Sequence, residues 1–137
     1  MIRELNFNDY EEFLNLISTF RETYFSKEDF KNILDKMKNN MTKIFVYEHE
    51  KKIIGTVKLL IETKFIFNIS YVGHIEDICV YKEYRNKNIG KNLINKCIDI
   101  CKNFNCYKVI CVCSSDVKNF YLKCNFEERG HFMSKLI

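Results

Sequence analysis

The sequence predicts an α/β protein, a mixed β-sheet with helices on its faces, in the order β, α, α, β, β, β, α, β, α, β. Three observations carry this. Ile89, Leu93, Cys97, Ile100, Cys101 and Phe104 recur on one helical stripe. Ile53 to Phe67 and Val72 to Tyr81 are rich in β-branched residues and separated by short polar breaks. The run Tyr107 to Cys113 is apolar apart from Lys108, which suits a strand at the centre of a sheet. With 137 residues, one domain spanning 1–137 is expected.

The elements follow in order. Residues 1–6 read as a short strand. Asn8 and Asp9 offer a cap for a first helix, where Tyr10, Phe13, Leu14, Ile17 and Phe20 fall at helical spacing. Ser26-Lys27-Glu28-Asp29 has the form of a capping box with Asp in place of Glu, and opens a helix bearing Phe30, Ile33, Leu34 and Met37. Lys43 to His49 is strand-like, and Glu50-Lys51-Lys52 turns the chain into a hairpin with the strand from Ile53. Asn68 to Tyr71 connects to the next strand. Asn88 to Phe104 is the most strongly patterned helix. Asp116 is placed to cap a short helix through Lys123, and Asn125 to Leu136 is expected as a final strand, bulged at Gly130.

Hydrophobic residues make up 47% of the chain and charged residues 29%, an ordinary globular composition. No apolar run approaches the roughly 18 residues of a membrane span, and the N-terminus lacks a signal peptide's pattern. A cytoplasmic location is expected. The net charge of +4 fits an anionic small molecule or acidic partner. Nucleic acid is disfavoured, because the lysines are scattered and not interleaved with aromatics. The seven cysteines form no Cys-x-x-Cys pair, and the three histidines stand at no metal-ligand spacing from them. No metal is expected, and the thiols read as small reduced hydrophobes.

The chemistry concentrates between Gly73 and Lys91. An apolar strand carries the adjacent acids Glu76 and Asp77, then breaks into Arg85-Asn86-Lys87-Asn88-Ile89-Gly90-Lys91, where the long helix opens. Backbone N–H groups at a helix start attract anions, and Arg85, Lys87 and Lys91 add charge. The bland reading is a solvated basic turn. Adjacent strand residues point to opposite faces, so the two acids can share a pocket only across a bulge. Their bland reading is an acidic pair at a strand end, capped by a nearby lysine. His74 reads as a hydrogen-bonded structural residue before a proton shuttle.

The element order and Arg85-x-x-Asn88-x-Gly90 resemble the GNAT acetyltransferases and their acetyl-CoA motif. Lys64-Phe65-Ile66, Gly73-His74-Ile75-Glu76-Asp77-Ile78, Cys106-Tyr107-Lys108-Val109-Ile110 and Asn119-Phe120-Tyr121-x-Lys123-Cys124-x-Phe126 resemble the glucosamine-6-phosphate N-acetyltransferase branch of that family. The resemblance implies acetyl transfer from acetyl-CoA to the 2-amino group of glucosamine 6-phosphate, feeding UDP-N-acetylglucosamine synthesis, by direct attack in a ternary complex. It implies a bulge at Glu76 and Asp77, with these acids and the backbone around Ile78 orienting amine and thioester. Ile78, Cys79 and Val80 would line acetyl-CoA, and Arg85 to Lys91 its pyrophosphate. Tyr121 would stabilise the departing thiolate. Lys64, Tyr107, Lys108 and Lys135, together with Glu76 and Asp77, would contact the amino-sugar phosphate, in a homodimer whose subunits share the site.

Several positions depart from the family pattern. Asn88 and Asn125 replace glycines, and Asn is the substitute that left-handed backbone tolerates best. Val112 stands where an acid is expected, Val117 where Asn is expected, and Phe67 where His is expected. They keep open a GNAT enzyme for another amine, such as a polyamine or a protein N-terminus, and a non-catalytic acetyl-CoA-binding module. An acetyl-cysteine route is the rival mechanism, though no Cys has a His at an evident partner spacing.

Overall fold

A computed structural model describes residues 1–137. Five strands form one sheet in the order β1-β2-β3-β4-β5. They are β1 (Ile2–Glu4), β2 (Thr42–His49), β3 (Lys52–Lys64), β4 (Ser70–Val80) and β5 (Cys106–Cys111). The helices are α1 (Tyr10–Ser18), α2 (Lys27–Lys38), α3 (Ile89–Asn103) and α4 (Lys118–Leu122). The first four strands are antiparallel to their neighbours, whereas β5 runs parallel to β4. The parallel pair needs a crossover, and α3 supplies it.

Each face of the sheet carries its own core. On one side Leu93, Ile94, Cys97 and Cys101 of α3 pack against Ile54, Val57, Leu59, Ile61 and Ile75. On the other, Phe13 and Leu16 of α1 and Phe30 of α2 pack with Val46, Ile53 and Cys79. The stripe read from the sequence is buried at Ile89, Leu93, Cys97 and Cys101, with Ile94 beside it, whereas Ile100 is half-buried and Phe104, just past the helix, is exposed. The capping box forms as expected: the Asp29 N–H donates to Ser26 Oγ at 3.0 Å, and the Ser26 N–H donates to Asp29 Oδ2 at 3.2 Å.

Four local expectations need correction. The first helix is introduced by Asn6, which caps a 3₁₀ turn over Phe7–Asp9. Asp9 is the reciprocal partner in that capping box, its Oδ2 accepting from the Asn6 N–H at 2.8 Å as well as from Arg3, and it stands at the N-cap position of α1 without a side-chain bond to that helix. Asp116 caps no helix and lies inside the 3₁₀ turn Ser115–Val117 before α4. The apolar strand β5 lies at the sheet edge, not its centre. The final strand over Asn125 to Leu136 is absent, because no strand edge of the chain pairs with it. Gly130 accordingly sits at φ +69° in an irregular segment and marks no bulge.

Candidate active site

The site is built around a bulge in β4. Thr56 of β3 aligns with Cys79 and Lys58 aligns with Glu76, so Asp77 and Ile78 together oppose Val57. Asp77 takes φ +50°, the left-handed conformation that Asp adopts more readily than most residues. The extra residue reverses the alternation of the strand. Ile75 and Ile78, three apart, both pack on the α3 side, and Cys79 packs on the α1 side. Asp77 is thereby free to meet Lys58 Nζ at 2.5 Å across the strands.

Asp77 and Lys58 stand at a cleft of about 210 Å³ on the α1 face, with Phe13, Ile17, Ile44, Thr56 and Cys79 also lining it. Phe20, Arg21 and Thr23, from the chain leaving α1, complete its lining. Lys58 was not singled out from the sequence. A lone lysine within the apolar run Ile53 to Ile61 was the available signal, but its partner is 19 residues away.

A gap opens beside the bulge. The ladder between β4 and β5 ends at Ile75 and Cys111, while β4 continues to Val80. From Glu76 to Val80 that edge of β4 has no strand neighbour, so its backbone groups can bond a ligand. Tyr121 of α4 is 8% exposed beside Cys111 and Glu76 at this gap; its hydroxyl makes none of the chain's side-chain hydrogen bonds and, since no fully buried polar atom lacks a partner, it reaches the open surface of the gap. Burial raises the Tyr121 phenol well above its ordinary value, reinforced by Cys111, Cys113, Cys124 and the Glu76 carboxylate. It is therefore protonated, and a hydrogen-bond donor, throughout the neutral range.

The loop before α3 keeps its helix start open. Asn86 and Asn88 both take positive φ, +61° and +62°. The geometry asked of a glycine at position 88 is thus met by Asn. In that conformation Asn88 makes no side-chain cap, so the first N–H groups of the 15-residue α3 point outward unsatisfied. Arg85 braces the loop by donating from Nε to the Val80 carbonyl at 3.2 Å. Lys87 and Lys91 are exposed beside it. Gly90 has a packing reason: a Cβ there would meet the Phe120 ring at 3.0 Å, so its absence lets α3 close against the residue next to Tyr121. These features suit a ligand with a phosphate at one end and a peptide-like arm at the other, as acetyl-CoA has.

The remaining predicted substrate residues lie elsewhere in the protomer. Lys64 aligns with Ser70 and Lys58 with Glu76, so Lys64 is six positions from the bulge, roughly 20 Å along the strand. There it pairs with Glu62 at 2.6 Å, and Glu62 also meets His74 Nε2 at 2.7 Å. Tyr107 stacks edge-on against Phe67, and Lys108 aligns with Val72. Lys135 lies in the exposed C-terminal segment.

Three of the thiols near the gap are poor nucleophiles. Burial pushes Cys111 up to about 11 and raises Cys79 and Cys124. Cys97 and Cys101, on the buried face of α3, are pushed by burial up to about 12. Such thiols are protonated at neutral pH, which disfavours an acetyl-cysteine route through them. No group of three or more His, Cys, Asp or Glu side chains is placed to hold a metal.

A parallel strand pair that splays beside a bulge, followed by an open helix start, defines an acyl-CoA N-acyltransferase. Residues 9–126 match the Acetyltransferase (GNAT) family, and the chain belongs to that family. Its relatives narrow the class. Glucosamine 6-phosphate N-acetyltransferase 1 of Dictyostelium discoideum is 36% identical, over 96% of this chain and 87% of its own length. Glucosamine 6-phosphate N-acetyltransferase of Arabidopsis thaliana is 43% identical, over 67% of this chain and 63% of its own. The crystal structure of glucosamine-6-phosphate N-acetyltransferase from Arabidopsis thaliana superposes with a TM-score of 0.94 at 34% identity, covering 99% of this chain and 97% of that one.

Proposed function

We propose that this chain transfers acetyl from acetyl-CoA to the 2-amino group of glucosamine 6-phosphate, by direct attack in a ternary complex. The single observation that carries the reading is the splay of β4 from β5 at an acidic bulge whose Asp77 lines the cleft on the α1 face. Full-length similarity to named glucosamine 6-phosphate N-acetyltransferases supports the acceptor.

Acetyl-CoA supplies the activated thioester. The open N–H groups of α3, with Arg85, Asn86, Lys87, Asn88, Ile89, Gly90 and Lys91, bind its pyrophosphate. The unpaired edge of β4, through Ile78, Cys79 and Val80, receives the peptide-like arm. Backbone N–H groups of this edge stabilise the oxyanion that forms as the amine attacks. Asp77, kept in place by Lys58, orients the amine from the cleft, and Glu76 takes its proton directly or through water. Tyr121 donates its O–H to the leaving sulfur; a protonated phenol with no partner in the chain is suited to that role.

The enzyme acts as a homodimer in the cytoplasm. Supporting this, Ile110 on edge strand β5 and Phe65, Phe67, Phe132 and Met133 are exposed, more apolar surface than a solvated edge strand ordinarily carries. Lys64, Tyr107, Lys108 and Lys135, remote from the bulge of their own protomer, serve the partner's acceptor site. The seven free cysteines fit a reducing compartment. No helix is long and apolar enough to cross a membrane.

The test is to incubate the protein with acetyl-CoA and glucosamine 6-phosphate and identify the product by NMR. N-acetylglucosamine 6-phosphate is expected. An O-acetylated sugar, or no acetylated sugar while another amine is acetylated, would reject the acceptor.

A further inference from the structure

The cleft contains one cation that the chain leaves unpaired. Among the lining residues Arg21 and Lys58 are positive and Asp77 is negative. Lys58 and Asp77 neutralise each other at 2.5 Å. Arg21 makes no ion pair, and its nearest aromatic neighbour is the Phe20 ring, 5.8 Å from its guanidinium carbon. Two cations against one anion leave the lining one positive charge in excess, so the complementary ligand is an anion.

Arg21 is also held in place by its backbone. Its N–H donates to the Ile17 carbonyl at 3.0 Å, continuing the last turn of α1. Two residues further on, the Thr23 carbonyl accepts from Ser18 Oγ at 3.1 Å. The segment that presents Arg21 is thus fastened to α1 on both sides, and only side-chain freedom is lost when an anion binds.

We propose that Arg21 binds the phosphate of the acceptor sugar within its own protomer and sets the preference for a phosphorylated over an unphosphorylated amino sugar. The proposal rests on the reading of glucosamine 6-phosphate as acceptor. The chemistry of the sugar fits the charged lining of the cleft. The amine is on C2 and the phosphate arm leaves from C5, the carbon diagonally across the pyranose ring. An amine held at Asp77 therefore directs the phosphate away from that carboxylate, and Arg21 is the other charged lining residue, besides the paired Lys58, that can receive it. A guanidinium offers that phosphate two parallel N–H donors. Sequence spacing hides this residue, because Arg21 lies 56 positions before Asp77 in a segment with no motif.

The test compares the wild type with Arg21→Gln and Arg21→Lys in steady-state kinetics on glucosamine 6-phosphate and glucosamine. For Arg21→Gln, KM for the phosphosugar should rise about tenfold to a hundredfold, the range for losing a charge-assisted hydrogen bond. Its kcat at saturation, KM for acetyl-CoA and thermal midpoint should stay near wild type. The wild-type preference for phosphosugar over glucosamine should fall by the same factor, and Arg21→Lys should restore part of it. A phosphosugar KM within twofold of wild type overturns the proposal and leaves the acceptor assignment standing. An equal loss on both sugars also overturns it, because that is what a purely structural role gives. A wild type inactive on glucosamine 6-phosphate overturns both.

Discussion

Replacing Tyr121 by Phe removes one oxygen and tests how the leaving group departs. The ring is buried in the α3-side core and packs edge-on against Phe120 and Phe126, with centroids 5.1 and 5.8 Å away. Phe keeps those contacts. The lost hydroxyl bonds no atom of the chain, so no donor or acceptor is stranded, and stability should change by less than about 0.5 kcal/mol. If that hydroxyl donates to the developing thiolate, its loss removes a hydrogen bond to a charged group in a desolvated site. Such a bond contributes about 1.5–3 kcal/mol, so kcat should fall roughly tenfold to 150-fold. Because burial and then its neighbours hold the phenol above its ordinary value of 10.0, the wild type should show no loss of kcat from Tyr121 ionisation below that pH. The assay is thiol release followed at saturating substrates, alongside a thermal melt. A kcat within twofold of wild type, with an unchanged melt, would refute the leaving-group role. A large loss of stability would refute the claim that the hydroxyl is structurally idle.

Three further outcomes are expected. Asp77→Asn removes the partner of Lys58 and the carboxylate in the cleft, so kcat/KM for the acceptor should fall at least about tenfold while KM for acetyl-CoA holds, by steady-state kinetics. Asn88→Ala forces an alanine to φ +62° and should cost about 1–2 kcal/mol in chemical denaturation and raise KM for acetyl-CoA, whereas Asn88→Gly should fold at least as well as wild type. At Asp9, burial opposes ionisation, but hydrogen bonds from Arg3 and the Asn6 N–H outweigh it and hold the carboxyl below its ordinary 3.8. A depressed carboxyl stabilises the fold above its unfolded pKa, so this contribution should be present above about pH 4 and lost as pH falls through the folded value; Asp9→Asn should remove that part of the acid-unfolding curve.

The parts of the fold governed by local chemistry could be read from the sequence. The Ser26 box, the α3 stripe and the Glu50-Lys51 turn depend on residues a few positions apart. The bulge at Glu76 and Asp77 and the glycine-like turn at Asn88 were implied by the family resemblance; strand alternation said only that a shared pocket needs a bulge, and backbone sterics that Asn can take a glycine's left-handed place. What escaped depends on long-range pairing. An apolar strand has the same pattern whether helices or a second chain cover it, so Tyr107 to Cys113 did not reveal that β5 forms an edge. The segment after Asn125 has strand-like residues, but a strand also needs a neighbour, and none lies within the chain. Lys58 and Arg21 meet Asp77 at one cleft only after the sheet and α1 assemble.

The most direct test of the central claim is CoA release with glucosamine 6-phosphate, set against glucosamine, a polyamine and a peptide N-terminus under identical conditions. Saturable release with the phosphosugar, and a kcat/KM at least about a hundredfold above the others, is the predicted result. Release with any of the other amines but none with glucosamine 6-phosphate would contradict it.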